Sequence, residues 1–132
     1  MPFPTRAEYE AVVYGLPEAY PDQIVLSTLR LYSTSALIAK VEGTIQFKGG
    51  LLLRLFEILD FKAGRILDYG YTVFRGEERL RWYDPQPHAE QPELASTFPH
   101  HRHEPPEIRR NRRPAPGISF DAPNLATLIA DC

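Results

Sequence analysis

Cysteine is almost absent from the sequence, and this scarcity excludes a disulfide framework. The single cysteine, Cys132, has no partner within the chain. No run of apolar residues approaches the roughly 20 that a membrane-spanning helix needs. A basic and then apolar leader is also missing, which favours a cytoplasmic protein that does not contact a membrane. The net charge of −2 provides no general attraction to nucleic acid, so any surface that binds anions must be local.

Histidine is missing from the first 87 residues, and its four copies are concentrated in one part of the chain. Three of the four histidines lie in "FPHHRHEPPEIRR" (98–110), and His88 precedes the first of them by twelve positions. Residues 98–113 also contain five arginines and only two acidic residues. This local excess of positive charge makes the segment the candidate site for an anionic ligand.

Residues 1–132 are predicted to form a single α+β domain with an antiparallel sheet. Alternating or β-branched apolar residues, separated by turns such as "KGG" and "KAG", predict a meander of about five strands over residues 24–83. The predicted strands cover residues 24–32, 37–47, 51–61, 65–74 and 78–83. The helical spacing of apolar residues predicts short helices near both ends of the chain, at 6–15 and 122–131.

Residues 84–116 are predicted to form a long functional loop rich in proline, histidine and arginine. Eight of the thirteen prolines lie between Pro85 and Pro116, a density that neither a helix nor an inner strand tolerates. A loop of this length inside a compact domain is usually functional or disordered. Its content of aromatic residues, histidine and arginine argues against simple disorder.

The histidines of this part of the chain have three interpretations. In an extended segment His101 and His103 point to the same side, as in many metal sites. His88 and Asp84 would then complete a shell of three histidines and a carboxylate. Alternatively, the imidazoles of His88, His100, His101 and His103 supply general acid and general base catalysis, because histidine titrates near neutral pH. In the third interpretation some of them only cap loop carbonyl groups or lie exposed.

The neighbouring arginines favour a phosphodiester substrate and acid–base chemistry without a cofactor. Guanidinium groups neutralise the charge on phosphoryl oxygens, and Arg81 and Arg102 are the candidate phosphate clamps. RNA carries its own nucleophile, the 2′-hydroxyl, and the arginine charge disfavours a nearby divalent cation. The residues therefore favour a metal-independent endoribonuclease. The alternatives are a metal-binding protein or hydrolase that uses His88, His101 and His103, and a module that only docks a partner protein.

Two of the predicted strands carry further candidate residues. Glu57 shares a strand face with leucines, where a carboxylate must be paired or have a raised pKa. Glu57 is therefore a catalytic candidate that we expect to be buried in contact with an arginine, a tyrosine or a histidine of the loop. Tyr69 and Tyr71 share one face of the next strand, where they either stack on bases or pack the sheet.

A resemblance to a known family rests on "YDPQPHAEQPELASTFPHHRH" (83–103). This stretch resembles the signature of the TumE-like toxins of prokaryotic toxin–antitoxin pairs, which is approximately Tyr-Asp-Asn-x-Pro-His-His, a short spacer and Phe-Pro-His-His-x-His. "VEGTIQFKGGLLLRLFEILDF" and the following "YGY" are similar to the middle strands of that family. The likeness extends over about residues 24–130. In this chain Pro85 replaces the usual asparagine of the signature, and Ala89 replaces its second histidine.

The resemblance implies a small toxin that is neutralised by a helix-turn-helix antitoxin. Asp84 belongs to the signature and is a catalytic candidate together with the histidines. Tyr83, also in the signature, joins Tyr69 and Tyr71 as a candidate for substrate binding. We therefore expect a toxin that acts on RNA, with an antitoxin as its partner and a homodimer among its assembly states. If the groups lost at Pro85 and Ala89 are essential, this copy is weakened.

Overall fold

The alternating segments of the chain form one antiparallel sheet in the computed structural model, which describes residues 2–132. Its eight strands are β1 (Ile24–Ser27), β2 (Arg30–Ser33), β3 (Ile38–Phe47), β4 (Leu51–Asp60), β5 (Arg65–Arg75), β6 (Glu78–Asp84), β7 (His101–His103) and β8 (Arg112–Pro114). Their spatial order is β1, β3, β4, β5, β6, β7, β8, and β2 also pairs with β3. The predicted α+β fold with an antiparallel sheet is confirmed, but the predicted number of about five strands is corrected to eight.

One additional strand arises because the predicted strand 24–32 is divided into β1 and β2. Both halves pair with β3 and keep one register from Leu26 to Ser33, but Thr28 and Leu29 between them belong to neither strand. Opposite this break, Gly43 has a φ of +139°, and a Cβ there would lie 2.7 Å from the Thr28 carbonyl oxygen. Glycine is therefore required at this position for the Thr28 backbone to approach β3 so closely.

The other two additional strands, β7 and β8, lie inside the predicted loop 84–116. β7 pairs with β6, and β8 pairs with β7, so this segment extends the sheet. Each strand has only three residues, too few for alternation to be recognised in the sequence. The prolines are compatible with this pairing because only Pro114 is part of a strand, at the end of the outermost one. A 3₁₀ helix, Pro92–Thr97, also interrupts the predicted loop.

Within residues 2–132, three α-helices accompany the sheet: α1 (Arg6–Tyr14), α2 (Leu16–Ala19) and α3 (Leu125–Ala130). α1 confirms the predicted N-terminal helix, and α3 confirms a C-terminal helix that is shorter than the predicted 122–131. A capping box formed by Thr5 and Glu8 begins α1. Across residues 2–132, none of these helices has the length and apolar character needed to cross a membrane.

The two faces of the sheet differ in what lies on them. On the covered face, leucines and tyrosines of the strands pack with Tyr9 of α1 and Leu128 of α3 in one apolar cluster. On the open face, the intervening positions carry polar, charged and aromatic side chains such as Lys40, Arg54 and Trp82. The alternation along each strand assigns every side chain to one face or the other. Some candidate site residues therefore lie on the covered face and others on the open face.

Candidate functional site

His101 and His103 lie side by side on the open face of β7. Their Nε2 atoms are 3.1 Å apart, which confirms the expectation that the two side chains point the same way. The intervening Arg102 points to the covered face because successive side chains of a strand alternate. His101 is 1% exposed and His103 is 3% exposed, so both imidazoles are buried.

Asp84 completes this cluster from the neighbouring strand. The register of β6 and β7 pairs Asp84 with His101 and Trp82 with His103. One carboxylate oxygen of Asp84, Oδ1, lies 3.2 Å from His101 Nε2, and Oδ2 lies 3.2 Å from His103 Nε2. We call Asp84, His101 and His103 the Asp–His–His cluster.

The outer nitrogens of both imidazoles contact backbone carbonyl groups, which fixes their protonation. His101 Nδ1 lies 3.2 Å from the Pro99 oxygen, and His103 Nδ1 lies 2.8 Å from the Ile108 oxygen. A carbonyl oxygen only accepts hydrogen bonds, so each Nδ1 carries a hydrogen. In the neutral imidazoles, both Nε2 atoms are then acceptors that face each other and a carboxylate. Three acceptor groups converge on one point, which requires a proton or a metal ion between them.

Neighbouring groups hold Asp84 in its ionised form. The Trp82 Nε1–H donates to Asp84 Oδ2 at 2.6 Å, and the Gln86 backbone N–H donates to Oδ1 at 3.0 Å. Partial burial alone would raise the pKa of Asp84, but the adjoining His103 imidazole and the hydrogen bonds from Trp82 and Gln86 together hold it well below its usual range. The indole of Trp82 also stacks on His103, with ring centroids 3.8 Å apart. Burial lowers the pKa of His101 despite the nearby Asp84 carboxylate.

His88 and His100 lie near the cluster but outside it. The His88 ring centroid is 5.0 Å from that of His101, while His88 Nδ1 lies 3.2 Å from a Glu90 carboxylate oxygen. His100 lies on the other side of the sheet, where its Nδ1 is 2.7 Å from the Tyr69 hydroxyl. Burial lowers the pKa of His100. Of the four histidines, His101 and His103 therefore meet directly, His88 adjoins them, and His100 belongs to the packing of the covered face.

Glu57 is buried in the core of the covered face, which confirms the expectation of a buried carboxylate in contact with tyrosine. Its exposed fraction is 0%. Tyr9 donates its hydroxyl to Oε1 and Tyr71 donates to Oε2, both at 2.6 Å. Burial raises the pKa of Glu57, although the two hydroxyl groups oppose that shift. Asn124 in turn donates to the Tyr71 hydroxyl at 2.9 Å. The position suits a carboxylate that fixes buried tyrosines.

The candidate substrate-binding residues also lie on the covered face. Tyr69 and Tyr71 are buried and stack on each other with ring centroids 4.6 Å apart, so they pack the sheet. Tyr83 donates its hydroxyl to Asp131 Oδ2 at 2.6 Å. Arg81 pairs with Asp131 at 2.8 Å, and Arg102 pairs with Glu104 at 2.8 Å. None of these five side chains lies on the face that carries the Asp–His–His cluster.

The open face contains functional candidates that the sequence analysis missed. A cleft of about 690 Å³ reaches from Phe56 across Gly70 to Trp82 and Asp84. A second cleft of about 640 Å³ shares Phe56 and continues to Arg54 and Lys40. Aromatic rings lie beneath cations here, with Arg79 over Trp82 at 5.0 Å. Strand alternation was the available signal, because Trp82 lies two positions before Asp84 and therefore on the same face.

These features define a small α+β protein with a histidine–carboxylate cluster at one end of an open, cationic and aromatic sheet face. A sequence model of the family described as Toxin TumE matches residues 18–132, and the chain belongs to this family. The family is one of toxins, and a toxin of this kind implies an antitoxin as its partner. Comparisons with curated proteins and with solved structures gave no match.

Proposed function

We propose that this protein is the toxin of a toxin–antitoxin pair and that it cleaves RNA on the open face of its sheet. The observation that carries this proposal is the position of the Asp–His–His cluster beside a cleft lined by aromatic rings and Arg79, which joins a second cleft lined by Lys40 and Arg54. Proteins that bind single-stranded nucleic acid combine a positively charged groove with aromatic side chains on which bases stack. The antitoxin, for which we propose the helix-turn-helix type, would block this face or its approach.

The open face offers both kinds of contact that RNA requires. Phe56 is partly exposed, and Lys40 lies 5.9 Å from its ring centroid. Arg54 lies 4.8 Å from the ring centroid of Phe74 on the next strand. The rings would accept bases and the cations would contact phosphates, so that a strand crossing the sheet reaches Asp84 and the two buried histidines.

Proton transfer in this proposal needs a histidine besides the buried pair. A base and an acid that act on opposite sides of a phosphodiester must have the phosphate between them. The Nε2 atoms of His101 and His103 are only 3.1 Å apart and face one carboxylate, which leaves no space for a phosphate. His88 lies beside His101 and keeps some exposed surface, so His88 is our candidate for the second proton-transfer group.

Growth experiments test the toxin assignment. Expression of the chain alone should arrest growth, and co-expression with the protein encoded next to it should restore growth. The His103→Gln variant should be harmless, whereas the matched His100→Gln variant, which changes a buried histidine outside the cluster, should remain toxic. Normal growth in the presence of soluble wild-type protein would contradict the assignment.

Purified protein incubated with RNA tests the target. Cleavage should leave a 2′,3′-cyclic phosphate, because the 2′-hydroxyl of RNA is the nucleophile in the proposed reaction. The assay is run with and without a chelator, because the sequence predicts metal-independent cleavage whereas the three converging acceptors favour a bound ion. Intact RNA under both conditions, with growth arrest still observed, would exclude RNA cleavage and leave a toxin with another target.

A further inference from the structure

The three side chains of the Asp–His–His cluster present hydrogen-bond acceptors to one another without a donor between them. Both Nε2 atoms lack a hydrogen when their Nδ1–H groups donate to carbonyl groups, and the facing Asp84 oxygens are acceptors as well. Acceptors held 3.1–3.2 Å apart in a buried setting repel one another unless positive charge lies between them. The cluster is therefore arranged for a cation.

We propose that Asp84, His101 and His103 bind one divalent transition-metal ion. Bonds from such an ion to imidazole nitrogen and carboxylate oxygen are about 2.0–2.2 Å long. Two ligand atoms on one ion at angles between octahedral and tetrahedral values are then about 2.9–3.4 Å apart. The two Nε2 atoms are 3.1 Å apart, and each lies 3.2 Å from a different oxygen of Asp84, Oδ1 for His101 and Oδ2 for His103. These separations lie within that interval, and both carboxylate oxygens face the imidazole nitrogens.

The surroundings of the three ligands have the features that orient metal ligands. Each imidazole donates its outer N–H to a fixed carbonyl oxygen, which aims the Nε2 lone pair at the cluster. Trp82 and the Gln86 N–H hold the Asp84 carboxylate in position. Trp82 also stacks on His103, so the ligands are held in place before an ion arrives.

The local charges permit a divalent cation, which revises the preference for a metal-free site. That preference rested on the arginines that interrupt and follow the histidines. Arg102 points to the covered face and pairs with Glu104 at 2.8 Å. Arg112 donates to the Gln91 side-chain oxygen at 2.9 Å. Asp84 supplies negative charge inside the cluster, and Glu90 supplies more beside His88.

The donor set indicates which ions are suitable. Two imidazole nitrogens and one carboxylate suit zinc, iron, manganese or cobalt better than magnesium or calcium, which prefer oxygen ligands. Three protein ligands leave at least one coordination position for water or another ligand, as in catalytic rather than structural zinc sites. Binding of the ion is independent of whether RNA is the target, so the proposal is tested by metal binding alone.

Titration of the full-length protein with Co²⁺ and Zn²⁺, after removal of bound metal with a chelator, tests the proposal. Co²⁺ should produce visible absorption that saturates at one ion per chain. Zn²⁺ should displace it, and calorimetry should give the same stoichiometry. The unfolding temperature should rise with the ion concentration, because an ion that binds the folded state stabilises it.

Isosteric variants assign the ligands. Asp84→Asn and His103→Gln should each weaken Zn²⁺ binding by more than about 100-fold, because loss of a group that only orients a ligand already costs about 10–100-fold. His100→Gln, the matched control in the same segment, should bind as tightly as the wild type. Circular dichroism establishes that each variant is folded.

Two results would overturn the proposal. The first is a folded wild type that binds neither ion, since the cluster would then be a protonated imidazole pair on a carboxylate. The second is binding that survives in Asp84→Asn and His103→Gln but is lost in His88→Gln. That pattern would assign the ion to the exposed side of the segment.

Discussion

Two buried or partly buried carboxylates, one on each face of the sheet, have opposite surroundings. Glu57 on the covered face receives a hydroxyl hydrogen on each oxygen, from Tyr9 and Tyr71. Asp84 on the open face also receives hydrogens, from Trp82 and Gln86, but it faces two imidazole nitrogens whose hydrogens point away. The carboxylate oxygens of Glu57 each have a hydrogen-bond donor within the protein, whereas Asp84 belongs to a group that needs a cation. Burial alone therefore does not identify a reactive carboxylate, but the hydrogen-bonding capacity of its neighbours does.

The largest expected effect is on the rate of RNA cleavage, and it comes from changing a histidine of the Asp–His–His cluster. Replacing His103 by glutamine should reduce the rate of RNA cleavage by about 10²–10⁴-fold, the usual contribution of a positioned catalytic group. The same replacement at His100 should change the rate by no more than a few fold. Initial rates on a labelled RNA, with both variants checked for folding, measure the difference. Equal rates for the two variants would remove the cluster from the reaction.

Replacing Glu57 by alanine should affect stability more than activity. The change opens a cavity and leaves the buried hydroxyl groups of Tyr9 and Tyr71 without their acceptor, so we expect the free energy of unfolding to fall by about 3 kcal/mol. Alanine at Asp84, whose side chain is only partly buried, should cost less. Urea unfolding monitored by circular dichroism compares the two variants. An equal or larger loss in the free energy of unfolding for Asp84→Ala would contradict the structural role of Glu57.

The open face should contribute a smaller effect on RNA affinity. Alanine at Phe56 should weaken binding by about tenfold, since the stacking of one base contributes about 1–3 kcal/mol. Alanine at Arg54 should weaken binding and also reduce its dependence on salt, because one fewer phosphate contact releases fewer counterions. Arg6→Ala in α1, on the covered side, is the matched control. Fluorescence anisotropy at several salt concentrations measures these changes, and equal losses for Arg6→Ala would contradict the proposed surface.

The smallest expected effect is a dependence of folding stability on pH that arises from Glu57. Its pKa is raised in the folded protein, so the folded state holds the proton more tightly than the unfolded chain does. The resulting stabilisation is complete below the ordinary pKa of 4.5 and is lost as pH rises through the folded value. Glu57→Gln keeps the shape without the charge. The wild-type stability relative to this variant should therefore decline above pH 4.5, and a relative increase would show the opposite shift.

The sequence predicts the middle of this protein well because the relevant signals there are local. Alternation over ten residues defines β3 and β4, and it also predicts the burial of Glu57 among leucines. The same period predicts that His101 and His103 share a face. The strands β7 and β8 were missed because three residues carry no recognisable period and because their pairing depends on distant partners. Trp82 meets His103 only through the register of β6 with β7, which a local pattern does not specify.

The division of the first predicted strand and the shortness of the last strand also bear on self-association. One margin of the sheet consists of two four-residue strands, the first of which has an irregular register between Ile24 and Leu26, and the other is β8, which ends at Pro114. An edge that is short, bulged or ended by proline is a poor template for another strand. A homodimer would therefore form through side-chain surfaces rather than by joining two sheets into one. The same edges protect a sheet rich in apolar residues from fibrous aggregation.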